Sequence, residues 1–133
     1  MATSNLARLD GSRPWREPSN FAKRNCLLCK IAEGKVPARK VLEHGNFLVV
    51  WDKFPAAPIH LLVIAKEHRD KKETLAGKHP GFWDEAFAAV GEAVKKMKIE
   101  GAYKLLLNGG SYAHFSHEHI HVLGGKGKEP EVK

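Results

Sequence analysis

The segment His117-Glu118-His119-Ile120-His121-Val122-Leu123, followed directly by Gly124-Gly125, carries the strongest structural signal in this chain. An alternating run of this kind that stops at glycine predicts a β-strand. Successive side chains of a strand point to opposite faces, so His117, His119 and His121 share one face and the residues between them share the other. The sequence therefore predicts a row of three imidazoles on one side of a strand.

Three kinds of site are compatible with such a row. Neutral imidazole is a common ligand of zinc and copper, so the row is typical of a metal site. It is equally typical of nucleophilic catalysis, in which one imidazole attacks phosphorus while its neighbours orient it and move protons. An exposed row without chemistry is the third possibility. The nearby segment Asn108-Gly109-Gly110-Ser111 favours a phosphate site, because exposed backbone N–H groups in a glycine turn bind phosphate oxygens.

The remaining patterns predict an α+β domain, a mainly antiparallel five-stranded sheet packed by one long helix and a short N-terminal helix. Apolar residues at helical spacing predict a long helix that begins near Pro80 and ends near Gly101. A short helical turn is expected between Asn25 and Ile31. The other four strands are predicted from apolar and β-branched runs at Val41–Glu43, Phe47–Trp51, Ile59–Ala65 and Ala102–Leu107.

The composition is that of an ordinary globular domain. The chain has 133 residues, of which 43% are hydrophobic and 28% charged, which excludes collagen-like, fully disordered and disulfide-rich classes. No apolar run approaches the roughly 20 residues that cross a bilayer, so no membrane partner is expected. The first twenty residues lack the apolar segment of a secretory signal, and the predicted location is cytoplasmic.

Three regions are predicted along the chain. Residues 1–22 are polar and contain two prolines, and we expect a flexible arm there; residues 23–125 form the domain, and residues 126–133 form a flexible tail. The net charge of +7 attracts polyanions. Its lysines are scattered and accompany no nucleic-acid recognition motif, so no nucleic-acid partner is expected.

The imidazole row resembles the signature of the histidine triad (HIT) family, His-φ-His-φ-His-φ-φ, in which φ is apolar. The supporting features occur upstream in the order that the family shows: Cys26-x-x-Cys29-Lys30-Ile31, Trp51-Asp52, Ala57-Pro58-Ile59-His60 and Lys66-Glu67-His68. The resemblance covers residues 24 to 125 and is nearest to the Hint-like and bacterial zinc-containing branches. It implies the HIT-like fold and, from the Hint branch, a homodimer.

The resemblance also implies an enzyme. HIT hydrolases and nucleotidyl transferases cleave at the α-phosphorus of a purine nucleoside 5′-phosphate derivative, here an AMP or GMP phosphoramidate or a dinucleoside polyphosphate, and release the nucleoside monophosphate. His119 matches the nucleophile that forms a nucleotidyl-histidine. His121 and His60 match histidines that contact the phosphate or complete the imidazole network, and His117 is the first histidine of the triad. No redox cofactor is implied.

The substrate-binding residues follow from the same resemblance. Asp52 matches the carboxylate that holds the ribose hydroxyls, although a carboxylate after a strand is also typical of a turn cap. The other implied substrate residues are Lys53, Phe54, Asn108, Gly110 and His114.

Two residues depart from the family pattern. Glu118 stands where the family has an apolar residue, and its carboxylate must reach water or a basic partner. Ala113 stands where many members carry glutamine. These departures motivate the alternative of a nucleotide-binding or interaction module with little turnover.

The chain has two cysteines, and they form a Cys-x-x-Cys pair at Cys26 and Cys29. Such a pair is compatible with a redox dithiol, with two inert buried thiols, or with half of a zinc site. The resemblance implies structural zinc held by Cys26, Cys29, His68 and His117. His44 is a competing ligand candidate from its type alone.

Overall fold

The computed structural model describes residues 26–125, and these form an α+β domain, as the sequence predicts. The predicted arm (residues 1–22) and tail (residues 126–133) lie outside the described residues. The elements are helix α1 (Leu27–Ala32), strands β1 (Lys40–His44), β2 (Phe47–Trp51) and β3 (Ile59–Ala65), helices α2 (Lys71–Leu75) and α3 (Phe82–Lys96), strand β4 (Tyr103–Leu106), a 3₁₀ turn (Gly110–Tyr112) and strand β5 (His119–Gly124).

The five strands of this range form one sheet in the order β1-β2-β3-β5-β4, and every neighbouring pair is antiparallel. Strand β3 is central and pairs with β5, so that Leu62 lies opposite His121 and Ile64 lies opposite His119. The two strands that carry the predicted site residues are therefore paired inside the sheet, while β4 lies at its edge.

Helix α3 covers one face of the sheet. Its buried residues recur at helical spacing and pack against the inward residues of β2, β3 and β5. The helical contribution to this core is Ala86, Ala89, Val90, Ala93 and Val94. Ile120 and Val122 of β5 point to this side, so His119 and His121 point to the opposite face. No helix formed by residues 26–125 is long and apolar enough to cross a membrane.

The opposite face carries a smaller apolar cluster. Cys26, Leu28 and Cys29, in and just before α1, pack against residues of β2 and β3 that alternate with those facing α3. This arrangement confirms the predicted short N-terminal helix and places its cysteines on the same side of the sheet as the histidine row.

Two predicted boundaries are wrong. Helix α3 ends at Lys96, before the predicted end near Gly101, because Lys98 adopts a left-handed backbone conformation (φ 58°) that turns the chain out of the helix. Strand β5 begins at His119, two residues later than predicted. His117 instead pairs with Asp70 in an isolated β-bridge.

Two local features also differ from the sequence prediction. Asn108-Gly109-Gly110 does not form a tight turn into β5, because the chain continues into the 3₁₀ turn at Gly110–Tyr112. Helix α2 was not predicted, since its five residues are too few to show a helical period.

Gly125 and Gly91 provide a matched test of the packing at the end of β5. Gly125 has a φ of +133°, and a Cβ at this position would lie 2.7 Å from Pro58 Cβ. We expect Gly125→Ala to lower the free energy of unfolding by about 1–3 kcal/mol. Gly91 lies exposed on α3 with open space around it, so Gly91→Ala raises that free energy by about 0.5–1 kcal/mol. Urea unfolding of both variants measures the difference, and a Gly125→Ala protein as stable as the wild type contradicts the packing described.

Candidate active site

A cavity of about 680 Å³ opens on the face of the sheet opposite α3, a volume typical of small-molecule sites. It brings together seven of the residues that the sequence analysis singled out, from β3, β5 and the loops after β2 and β4. The lining residues are Asp52, Phe54, Ala56, His60, Leu62, Leu106, Asn108, His114, Phe115, His119, His121 and Leu123.

Lys53, Gly110 and His117 do not line this cavity. Lys53 is exposed between Asp52 and Phe54, in the loop that follows β2. Gly110 is also exposed, because the chain leaves the cavity after Asn108 and enters the 3₁₀ turn. Lys53 and Gly110 therefore lie outside the lining of this cavity, and their contribution to substrate binding stays a prediction.

Phe115 is a lining residue that the sequence analysis missed. Its ring packs edge-on against the His119 ring, with 5.9 Å between the ring centroids. Phe115 precedes β5 and lies in no strand, so neither the alternation of β5 nor another periodic pattern identifies it in the sequence. Aromatic packing of this kind holds the His119 ring in place.

The hydrogen bond of His119 assigns its tautomer. His119 Nδ1 lies 2.8 Å from the carbonyl oxygen of His117. A carbonyl oxygen only accepts, so Nδ1 carries the proton and Nε2 keeps its lone pair. Burial lowers the pKa of His119, which keeps the ring neutral near pH 7. The ring therefore offers a neutral, unprotonated Nε2.

A chain of hydrogen bonds assigns the opposite tautomer to His121. The Ala56 N–H donates to His60 Nδ1 at 3.0 Å, so the proton of neutral His60 lies on Nε2. His60 Nε2 then donates to His121 Nδ1 at 2.9 Å, which leaves the proton of His121 on Nε2. Burial lowers the pKa of His121 to about 4 and also lowers that of His60. The cavity thus holds one imidazole with an Nε2 lone pair and one with an Nε2–H.

The Asp52 carboxylate forms the turn cap, one of the two functions that the sequence left open, while its binding of ribose hydroxyls stays a prediction. Its Oδ1 accepts the Phe54 N–H at 2.8 Å, which is the turn cap, and its Oδ2 lies 3.4 Å from His60 Nε2. Asp52, His60 and His121 are close enough together to be considered as metal ligands. However, the Ala56 N–H donates to His60 Nδ1, so the proton of His60 lies on Nε2. Because a protonated nitrogen cannot bind a metal, these three residues are more typical of a hydrogen-bonded network than of a metal site.

A second cluster lies beside the cavity on the same face and consists of Cys26, Cys29, His68 and His117, all buried. His117 Nδ1 lies 3.3 Å from Cys26 Sγ and 3.4 Å from Cys29 Sγ. His68 Nδ1 lies 3.2 Å from Cys29 Sγ. The predicted ligand set is thus brought together in one place, whereas His44 contacts Glu92 instead.

The outer contacts of the two histidines fit a metal in this cluster. His117 Nε2 donates to the Ala65 carbonyl oxygen at 2.6 Å, and His68 Nε2 lies 3.2 Å from Asp70 Oδ1. With protons on both Nε2 atoms, both Nδ1 lone pairs face the cysteine sulfurs. Two cysteine sulfurs and two imidazoles with such outer hydrogen bonds are a donor set typical of structural zinc sites.

Comparisons with known proteins show the family to which this chain belongs. The family model described as "Scavenger mRNA decapping enzyme C-term binding" matches residues 25–132. A HIT-like protein of Chlamydia trachomatis is 40% identical over 98 residues, covering 72% of this chain and 88% of the relative. The chain belongs to the histidine triad family.

Other HIT-family relatives extend the comparison. The adenosine 5′-monophosphoramidase hnt1 of Schizosaccharomyces pombe is 36% identical over 104 residues, covering 74% of this chain and 73% of that protein. A histidine triad protein from Clostridium difficile superposes with a TM-score of 0.74 at 30% identity, covering 82% of this chain and 96% of that one. A Zn-bound histidine triad family protein from Mycobacterium smegmatis has a TM-score of 0.61 at 29% identity, covering 84% and 83%.

The lowered pKa of His121 predicts a pH dependence of stability. Its folded-state pKa lies near 4, below the ordinary value of 6.5, so between these values the unfolded chain binds a proton that the folded chain excludes. Stability therefore falls as the pH is lowered from 6.5 to 4. In His121→Gln, urea unfolding at several pH values is expected to give a slope that is shallower by up to about 1.4 kcal/mol per pH unit. Equal slopes for the two proteins contradict this assignment.

Proposed function

We propose that this HIT protein is a nucleotide hydrolase that cleaves at the α-phosphorus of a purine nucleoside 5′-phosphoramidate through a nucleotidyl-His119 intermediate. One observation carries the proposal: the cavity presents a lone pair on His119 Nε2 and a proton on His121 Nε2. A nucleophile and a hydrogen-bond donor of this kind are what displacement of a poor leaving group at phosphorus requires.

The proposed reaction has two steps. His119 Nε2 attacks the α-phosphorus, and the P–N bond to the leaving group breaks. The departing nitrogen accepts a hydrogen bond from His121 Nε2–H, takes up one proton from the solvent and leaves as the amine. Water then attacks the same phosphorus, the bond to His119 breaks, and the nucleoside monophosphate leaves with the release of one proton. The two steps together consume one water and are neutral in protons. Positioning and donors directed at the phosphoryl oxygens supply the acceleration.

The cavity walls supply contacts for the nucleotide. We assign the ribose hydroxyls to the Asp52 carboxylate, because its lone pairs accept two hydroxyl hydrogen bonds. Asn108 and His114 line the cavity and offer polar atoms for the phosphate. We propose AMP and GMP derivatives as the substrate class. The similarity to the adenosine 5′-monophosphoramidase of S. pombe supports an AMP derivative.

The charge of the cavity favours a phosphoramidate over a dinucleoside polyphosphate. Among the described residues that line it there is no lysine or arginine, and the additional phosphates of a polyphosphate leaving group need such cations. Phe54, whose side chain is largely exposed (83%), extends the wall outward as an apolar surface. We therefore propose an uncharged or apolar amine as the leaving group.

We propose structural zinc in the cluster of Cys26, Cys29, His68 and His117. When bound, the ion closes a four-ligand site that joins the N-terminal turn to the segment before β5. His117 is then a metal ligand and not a direct participant in the reaction. The Zn-bound relative of M. smegmatis supports the assignment.

We also propose a homodimer and a cytoplasmic location. Strand β4 lies at the sheet edge and exposes Tyr103 and Leu105, and an open edge with apolar side chains is a surface on which a second copy can pair. Size-exclusion chromatography with light scattering tests the dimer, and a monomer at micromolar concentration contradicts it.

Incubation with AMP phosphoramidate tests the proposed reaction. We expect AMP and ammonia as products, and acid-quenched wild-type protein is expected to contain adenylylated His119 detectable by peptide mass spectrometry. His119→Ala is expected to lose about 10⁴-fold or more in kcat/KM, because the nucleophile is removed.

His44→Gln is the matched control, since His44 lies outside the cavity and its activity is expected to be unchanged. Tight binding of AMP by the wild type without product or adduct supports the alternative of a module with little turnover. Faster cleavage of a dinucleoside polyphosphate than of AMP phosphoramidate contradicts the proposed leaving group.

The zinc content of variants distinguishes the proposed metal ligands from the histidines that line the cavity. Cys29→Ser removes one of the proposed ligands, and we expect this protein to lose most of its zinc when measured by plasma mass spectrometry. His119→Ala is expected to keep its zinc and lose turnover, because His119 is not in the cluster. Equal zinc content in wild type and Cys29→Ser, or zinc loss in His119→Ala, contradicts the assignment.

A further inference from the structure

Glu118 lies between the first two histidines of the triad and is buried, with 1% of its surface exposed. The basic partner that its carboxylate requires is Lys71 Nζ, and Thr74 Oγ1 donates to its Oε1 at 2.7 Å. Both partners belong to helix α2, and only 17% of the Lys71 side chain is exposed. A charged group therefore occupies a core position behind the strand that carries His119.

Stability alone does not account for this arrangement. The desolvation of a buried ion pair largely offsets the attraction between its charges, and well-packed apolar residues of similar size are often at least as stabilising. An apolar residue at this position would also agree with the neighbouring Ile120 and Val122, which pack against α3. The Glu118–Lys71 pair is therefore expected to have a function besides stabilisation, one that two apolar residues could not perform.

The backbone hydrogen bonds next to Glu118 indicate the function of this pair. The peptide unit between residues 117 and 118 is held from both sides: its N–H, on Glu118, donates to the Arg69 carbonyl oxygen at 2.6 Å, and its C=O, on His117, accepts His119 Nδ1–H at 2.8 Å. The carbonyl that assigns the His119 tautomer therefore belongs to the peptide unit directly attached to the Glu118 Cα. A rotation of this unit changes the hydrogen bond of His119.

The Lys71 side chain links Glu118 to the loop that follows β4. A Cβ added at Gly109 would lie 3.1 Å from Lys71 Cδ, so the Lys71 stem lies directly against the residue after Asn108. Lys71 Nζ lies 5.8 Å from the centroid of the Trp83 ring, and Trp83 Nε1 donates to the Thr74 carbonyl oxygen at 3.2 Å. Helix α2 is thereby fixed to α3 on one side and to the loop of Asn108 on the other.

We propose that Glu118, anchored by Lys71 and Thr74, is a positioning residue that holds the 117–118 peptide unit so that His119 keeps its proton on Nδ1 and presents Nε2 to the cavity. It touches no reacting atom. The kinetic consequences rest on the proposed function, whereas the effect on the His119 tautomer does not.

The test compares Lys71→Met with the double variant Lys71→Met/Glu118→Met. The single variant leaves a buried carboxylate without its cation, so both stability and kcat are expected to fall. In the double variant the apolar pair is expected to restore the melting temperature to near that of the wild type. Its kcat for AMP phosphoramidate is expected to stay about tenfold to a hundredfold low with KM within about twofold, because the nucleophile is misplaced.

Lys72→Met is the matched control, since Lys72 lies exposed on the same helix, and its kcat is expected to equal that of the wild type. Thr74→Val provides a second variant if Lys71→Met does not fold, and a smaller loss of kcat in the same direction is expected. If kcat recovers together with the melting temperature in the double variant, the pair is only structural and the proposal is overturned.

Long-range ¹H–¹⁵N NMR of the histidine rings separates this proposal from the proposed function. We expect His119 to be protonated on Nδ1 in the wild type and to be a mixture of tautomers in the double variant. This result stands even if the wild type does not turn over AMP phosphoramidate, in which case the proposed function fails alone. An unchanged His119 tautomer in the double variant overturns the positioning role of Glu118.

Discussion

The hydrogen bond from His119 Nδ1 to the carbonyl oxygen of His117 is the interaction on which the proposed chemistry depends. The acceptor is the backbone of the residue two positions earlier, directly before β5. The geometry of this hydrogen bond therefore depends on the backbone conformation where β5 begins. The pairing partner changes between the two histidines, because His117 pairs with Asp70 whereas His119, the first residue of β5, pairs with Ile64 of β3. The bond leaves a lone pair on Nε2 of a buried, neutral ring that lines the cavity.

The three histidines of the row lie in two different clusters. The segment that carries them pairs with Asp70 at His117 and with β3 from His119 onward. His117 contacts the two cysteines and donates to Ala65, whereas His119 and His121 line the cavity. A metal site that fixes His117 also fixes the carbonyl that His119 uses. His117 therefore belongs to both clusters, with its ring among the cysteines and its carbonyl oxygen bonded to His119.

Much of the fold is predictable from the sequence, because strand alternation and helical spacing are local signals. The central strands Phe47–Trp51 and Ile59–Ala65 have the predicted bounds, and the start of α3 follows its apolar pattern. The end of α3 depends on the φ of Lys98, and the start of β5 depends on the bridge between His117 and Asp70. Neither feature leaves a periodic signal in the sequence. Likewise, Glu118 indicates that a basic partner is needed, but only the tertiary structure identifies Lys71.

The candidate site was predictable as a set of residue types, but its assembly was not. Spacing and resemblance indicate Asp52, His60, His119 and His121, which the fold brings together in one cavity. They also indicate His117, which lies in the cysteine cluster. They did not indicate that Lys53 and Gly110 lie outside the cavity. Nor does any sequence pattern report tautomers, because these depend on donors such as the Ala56 N–H.

A crystal structure of the protein with adenosine and vanadate, which imitates the five-coordinate phosphorus of the displacement, tests the role of His119 as nucleophile. We expect vanadium bonded to or in line with His119 Nε2, with His121 Nε2 facing the oxygen on the opposite side. Vanadate attached at His121 or His60, or adenosine bound outside the cavity beside Asp52, would contradict it.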